Sequence, residues 1–327
     1  MEILNKIEEM KAYRTSSSVS QSLLTALSRS PSNIRLSSRD TNFFTLGSLV
    51  DTLAFFGEAG TKELYAVTTI KKPEGLIWDY HILLLDALAL DMPLEKAKDI
   101  AFFQSGFKIK QATVEERYKK EVVPYLKEEL ANANKITVQE KDFNHARVLV
   151  KALREDKYTA PYFKSTNMFQ TSIQEELCNL PCKGLLDIID IDEENKTMRV
   201  VDLKTTSKPI YNFQKSILDY RYDIQLAFYT DLLKKSPISK GYGILNPRFV
   251  VINTDNIEPP IVFELSDRDL QVARNGGKSY DGKSIKGYKE LINQYINSSK
   301  SSVYFKEYED NGGVMKLDIY AGNLEVR

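Results

Sequence analysis

Between Gly184 and Thr206 the chain reads GLLDIIDIDEENKTMRVVDLKTT, and no other stretch restricts the fold so much. Two runs rich in Leu, Ile and Val, Leu185 to Ile191 and Met198 to Leu203, flank the polar segment Asp192 to Thr197. That pattern reads as a β-hairpin. Its centre falls between Glu194 and Asn195, so an antiparallel fold about that point sets each residue opposite the one equally far along the other strand. Asp187 and Asp202 are equidistant from the centre and become cross-strand neighbours, about 5 Å apart. A slip of one residue gives the competing register. Within the second run Asp202 and Lys204 are two apart, and strand alternation puts their side chains on one face.

Two acids and a lysine therefore meet among apolar residues. Carboxylates desolvated side by side raise each other's pKa unless a cation joins them. Carboxylates with a backbone carbonyl, here that of Leu203, suit Mg²⁺ or Mn²⁺, and the adjacent lysine can orient or deprotonate a water that attacks phosphorus. An isolated D-x-K is more often a surface ion pair. The second aspartate at matching depth is what favours a metal centre.

The 327 residues suffice for a sizeable core, in two domains or one elaborated one. Lys and Arg total 45 and Asp and Glu total 45, so any attraction for nucleic acid must come from a local patch. Cys178 and Cys182 are the only cysteines, too few for a disulfide framework or a four-cysteine metal site. The N-terminus MEILNKIEEMKAYR is charged from its second residue, and no window approaches the roughly 18 apolar residues of a membrane span. The expectation is a cytoplasmic protein with no membrane association.

Ile3, Leu4, Ile7 and Met10 predict an amphipathic first helix over residues 2–13, and serines cap a second over about Ser20 to Leu27, stopped by Pro31. In FFTLGSLVDTLAFFG an otherwise apolar helix carries Asp51, which belongs either at a solvent edge or in a metal site. Residues 60–160 read as helical, over Ile77 to Leu90, Leu94 to Phe103, Val114 to Asn132 with a kink at Pro124, and Asp142 to Arg154. His81 and His145, each isolated there, read as structural. Strands begin at Met168 to Leu177. After the central hairpin come a helix over Ile217 to Lys234, strands at Tyr242 to Asn253 and Ile261 to Leu265, a Ser266-capped helix to about Arg274, and a last helix over Tyr288 to Ile296. The domains are then residues 1–59 with the first core helix, a helical insertion over 60–160, and a core over 161–327.

Gly277 to Ser284, GKSYDGKS, satisfies the phosphate-loop pattern GxxxxGK[ST]. That motif needs a buried strand entering and a helix leaving. Here SDRDLQVARN reads as an entering helix, so a flexible loop is expected.

Taken together, the chain resembles the PD-(D/E)XK nuclease superfamily, and within it the phage and prophage RecE-type exonucleases, which are RecB-like and lambda-exonuclease-like. The likeness runs through the serine segment ending in Ser30 and Pro31, the LGSLVDTL helix, CKGLLD, VVDLKTT, YDIQLAFY and FVVINTDNIEPPIVFELSDRDL. It implies an α/β (α+β) fold with a restriction-endonuclease-like core, a mixed central sheet flanked by helices, and a helical insertion. It also implies that Asp187, Asp202 and Lys204 are the catalytic set. Asp187, Asp202, Leu203 and Asp51 would hold Mg²⁺ or Mn²⁺, with Asp51 standing where the family usually has histidine. Gln225 and Tyr229 would be a QxxxY pair that positions DNA, with Lys183, Lys208, Lys215 and Arg221 beside the motifs as phosphate contacts. Gln170 stands where many relatives have glutamate, and Glu175 or Glu176 are the substitutes in sequence.

The function implied is metal-dependent hydrolysis of linear double-stranded DNA by an exonuclease of phage recombination or DNA processing, as a homo-oligomer or with a single-strand annealing partner. The departures at Asp51 and Gln170 motivate an alternative, a catalytically impaired nuclease-fold module that binds DNA or builds a phage assembly.

Overall fold

The computed structural model describes residues 2–29, 46–255, 258–279, 282–298 and 310–314. Ser30, Pro31, Phe44, Tyr280 and Asp281 lie outside the described residues. Contacts divide the chain into two compact units, Met1–Thr41 with Lys151–Arg327, and Asn42–Val150. The division departs from the boundaries at 60 and 160 by grouping residues 42–59 with the helical segment and 151–160 with the core.

In chain order, α1 (Glu2–Thr15), β1 (Val19–Ser20) and α2 (Gln21–Arg29) open the first unit. The second unit holds α3 (Leu46–Leu64), β2 (Tyr65–Thr68), α4 (Leu76–Ala89), α5 (Leu94–Ser105), α6 (Gln111–Ala131), β3 (Ile136–Gln139) and most of α7 (Glu140–Glu155). Apolar residues at helical spacing on α4, α5 and α6 bury Ile77, Tyr80, Leu84, Ala97, Ala101, Val114 and Val122 in its core. The unit is not wholly helical, since β2 and β3 pair in parallel, Tyr65 opposite Ile136. Two four-residue strands so far apart in sequence leave no periodicity to read. α6 continues through Pro124 as one helix.

The first unit resumes with β4 (Met168–Leu177), β5 (Leu180–Asp192), β6 (Thr197–Thr206), α8 (Phe213–Tyr220), α9 (Tyr222–Lys235), β7 (Gly243–Ile244), β8 (Arg248–Asn253), β9 (Ile261–Glu264), α10 (Asp267–Asn275), β10 (Gly277–Lys278), β11 (Ser284–Ile285) and α11 (Tyr288–Ser298). Among the described residues a mixed sheet of seven strands runs β1-β5-β6-β8-β9, with β4 also on β5 and β7 also on β6. Leu186, Ile189, Val200, Phe249 and Val251 from the sheet pack with Ile224, Ala227, Phe228 and Leu232 of α9 into one core.

Three expectations are corrected by local chemistry. The helix predicted over 217–234 is two, because Arg221 adopts the left-handed region at φ 57° and ends α8. The strand predicted over 242–253 is interrupted at Pro247, which lacks an N–H for the ladder. The phosphate-loop pattern closes into a short antiparallel hairpin, Gly277 opposite Ile285, entered from α10. Ser266 and Asp269 form the capping box that starts α10. Among the described residues no helix is long and apolar enough to cross a membrane.

Candidate metal and nuclease centre

β5 is thirteen residues long and changes partners along its length. From Ile188 to Asp192 it pairs antiparallel with β6, Ile188 opposite Val201 and Asp192 opposite Thr197. At Cys182 and Lys183 it pairs in parallel with β1 instead. Every pair of the β5–β6 ladder is centred between Glu194 and Asn195, the register the hairpin pattern predicts. Beyond Val201, β6 keeps β8 on its far side while its β5 side opens. Asp187 and Asp202 are the next residues in that register, at the mouth of the fork.

The fork fixes Asp187 by side-chain hydrogen bonds where ladder bonds stop. The N–H of Leu203 donates to Asp187 Oδ2 at 3.1 Å, and Gln170 Nε2 donates to Oδ1 at 2.9 Å. N–H and C=O of one strand residue point to the same side, so the Leu203 carbonyl is also directed toward β5. Gln170 is buried and held at φ 45°, between the ladder pairs Phe169–Ile188 and Thr171–Leu186. A long side chain in that sparsely populated region costs about 1–3 kcal/mol and marks a place where the surroundings impose the conformation.

Asp202 is 1% exposed, and among the described residues neither carboxylate oxygen has a directed hydrogen-bond partner. Lys204 Nζ is 2.6 Å from Asp202 Oδ2, a short ion pair without hydrogen-bond directionality. The ammonium also lies over the Tyr222 ring, 4.7 Å from its centroid. Burial works against the charge on Lys204, but Asp202 and then Asp187 outweigh it and raise its pKa above the usual lysine range. The ammonium sits beside both aspartates, where it can stabilise negative charge or orient a water.

Tyr229 is buried, and burial followed by the charges of Tyr13, Asp202 and Asp187 holds its hydroxyl protonated, against an opposing hydrogen bond with Gln225. The Gln225–Tyr229 pair thus borders the two aspartates. α9 reaches them because Gly184 leaves room: a Cβ there would lie 2.8 Å from Leu232 Cδ1 and 3.0 Å from Tyr229 Cδ1.

Two expected DNA contacts are otherwise engaged. Lys183 is buried and donates to the carbonyls of Tyr13 and Ser16 at 2.6 and 2.7 Å, tying the end of α1 to β5. Arg221 forms a bidentate pair with Asp223 at 3.1 Å on both arms and donates to the Lys286 carbonyl. Lys208 and Lys215 are exposed. Asp51 is half-buried on α3, in the second unit. Glu175 and Glu176 pair opposite Cys182 and Pro181, five and six residues along β5 from Asp187. Tyr222 and its hold on Lys204 escaped the sequence reading, although its position three residues before Gln225 on one helix face was a usable signal.

A divalent ion is the natural complement to this set. A buried carboxylate whose oxygens lack hydrogen bonds, a second carboxylate across the fork and a peptide carbonyl are hard oxygen donors. Among the described residues no three or more His, Cys, Asp or Glu gather as a metal cage. Mg²⁺ asks for fewer, taking one or two carboxylates and completing its shell with water and substrate phosphate.

No curated protein matches the sequence significantly. A crystal structure from Eubacterium rectale described as a "putative exonuclease" is similar at 12% identity, over 86% of this chain and 89% of that one, with a TM-score of 0.34, too slight a likeness to carry an argument. The family model described as "PDDEXK-like domain of unknown function (DUF3799)" matches residues 104–301, more than half of the chain and all of the Asp187–Asp202–Lys204 fork, and the chain belongs to that family.

Proposed function

We propose that the protein is a metal-dependent deoxyribonuclease that degrades linear double-stranded DNA from its ends. The observation that carries the nuclease reading is the Asp202 carboxylate, 1% exposed at the mouth of the fork, with Asp187 across from it and the Lys204 ammonium 2.6 Å away. End-directed cleavage rests on the resemblance to RecE-type exonucleases, as does a role in phage recombination.

Asp187, Asp202 and the Leu203 carbonyl would hold Mg²⁺ or Mn²⁺, which supplies a Lewis acid for the phosphate and a water of lowered pKa. Leu203 N–H and Gln170 keep the Asp187 carboxylate aimed into the fork. Lys204 places a positive charge where the phosphate gains negative charge during attack, a contribution worth roughly 10²–10³ in rate for comparable groups. Tyr229, kept as a hydroxyl donor, and Gln225 position the strand at the fork.

End-labelled linear and covalently closed circular duplexes, incubated with Mg²⁺ or Mn²⁺, test the reading beside Lys204→Ala and Asp202→Asn. Loss of the linear form alone, abolished by both substitutions, is the expected result. Cutting of the circle would make the enzyme an endonuclease. DNA binding without cleavage under either metal would favour the non-catalytic module that Gln170 and Asp51 motivate.

A further inference from the structure

Beside the fork, a cleft of about 280 Å³ opens between α2 and the α8–α9 turn, lined by Gln21, Thr25, Arg29, Tyr220, Tyr222 and Gln225 among others. Its size lies just below the roughly 300–1,000 Å³ typical of whole small-ligand sites, enough for part of a ligand such as a single base. It shares walls with the catalytic groups, because the Tyr222 ring carries the Lys204 ammonium and Gln225 bonds to Tyr229. Tyr220 stacks on Tyr222 with centroids 5.4 Å apart and planes 28° from parallel, yet Tyr220 is 46% exposed. The ring is thus supported by Tyr222 and still lines the cleft with nearly half of its surface exposed.

The opposite wall suits a nucleotide. Arg29, exposed in the last turn of α2, has no acidic partner among the described residues. Gln21 and Thr25 are buried polar residues fixed by a 2.6 Å hydrogen bond from Gln21 Nε2 to Thr25 Oγ1. A stacked, half-exposed aromatic ring opposite a cation without an acidic partner among the described residues, one residue layer from Lys204, combines the elements by which proteins hold single strands, base stacking and backbone charge.

We infer that this cleft receives one unpaired base of the DNA strand being cut, stacked on Tyr220 with its phosphate near Arg29, so that the enzyme acts on a strand unpaired at the fork. The inference rests on the nuclease reading and names the form of substrate at that site. Tyr222 then has two tasks, backing Tyr220 and seating Lys204, so that the base would lie in register with the phosphate under attack.

The test uses the full chain in EDTA with single-stranded oligonucleotides carrying 2-aminopurine at successive positions, whose fluorescence falls on stacking. Wild type and Tyr220→Phe should quench the probe at one position. Tyr220→Ala should abolish that quenching and weaken binding by tenfold or more, the scale of one lost base–aromatic stack. Arg29→Gln should lower the salt dependence of binding by about one phosphate contact while the quenching persists. Unchanged quenching and affinity in Tyr220→Ala, with cleavage of linear duplex retained in wild type, would overturn the stacking site and leave the nuclease standing. DNA bound without quenching at any position would do the same. Failure of wild type both to bind the oligonucleotides and to cleave duplex would remove the two together. Circular dichroism of each variant checks that the fold is kept.

Discussion

Replacing Lys204 by Met, which keeps the stem and removes the charge, should destabilise the fork out of proportion to the atoms lost. Asp202 is 1% exposed, and among the described residues the ammonium 2.6 Å away is the main compensation for its charge. At an effective dielectric of about 20 that attraction is about 6 kcal/mol before desolvation is subtracted. Breaking one side of a buried pair typically costs about 3–5 kcal/mol, the range expected here without metal. The double variant Asp202→Asn/Lys204→Met removes both charges and should recover much of the loss. Mg²⁺ at a hundred times its Kd should stabilise the native state by about 2.7 kcal/mol. Fluorescence is the wrong probe, since the only tryptophan, Trp78, lies in the second unit. Hydrogen exchange of β5 and β6 peptides in EDTA and in Mg²⁺ reads the relevant element. Equal protection in wild type and Lys204→Met, with no response to Mg²⁺ in either, would refute both the pairing argument and the metal assignment.

Gly184→Ala should cost about 1–3 kcal/mol, because the new Cβ meets Leu232 and Tyr229 of α9, and urea unfolding followed by circular dichroism measures it. Gln170→Gly should be more stable than Gln170→Ala by about 1 kcal/mol, since both lose the bond to Asp187 while only Ala keeps the penalty of φ 45°; equal melting temperatures would remove the strain argument. His81 is buried with its pKa lowered from 6.5 by burial, against a partial rise from Glu129, and Nδ1 lies 3.0 Å from the Tyr118 hydroxyl. The unfolded chain binds the proton first, so the second unit should keep its full stability above about pH 6.5 and lose it as pH falls toward the folded-state pKa. Trp78, 4.8 Å from His81, reports the urea midpoint at each pH, and His81→Gln should flatten the dependence.

Most of the geometry of the fork was legible because the hairpin encodes it twice, in the alternation of apolar residues and in the short polar segment that fixes the register. Asp187, Asp202 and Lys204 follow from those two facts alone. The pairing of β1 with β5 was not legible, because two residues carry no period and their partners are more than 160 positions away. The partners of Lys183 and Arg221 were not legible for a different reason. Sequence shows a charge beside a motif but not which backbone carbonyls it meets, and Lys183 meets those of Tyr13 and Ser16. Gln170 was visible as a departure, whereas its positive φ, which puts the amide against Asp187, is a tertiary effect.

The bond from Lys183 to the Tyr13 carbonyl spans 170 positions, and this has a consequence for the order in which the protein comes into being. At about 5–20 residues per second, a ribosome needs roughly 10–30 s to travel from one partner to the other. Throughout that interval β1 has no strand to join, while the residues of the second compact unit, 42–150, are contiguous and emerge first. Assembly of the fork is then a late event in synthesis. The fork gains Asp187 and Lys204 only after the helical unit has emerged, and its sheet is not closed until β8 joins β6.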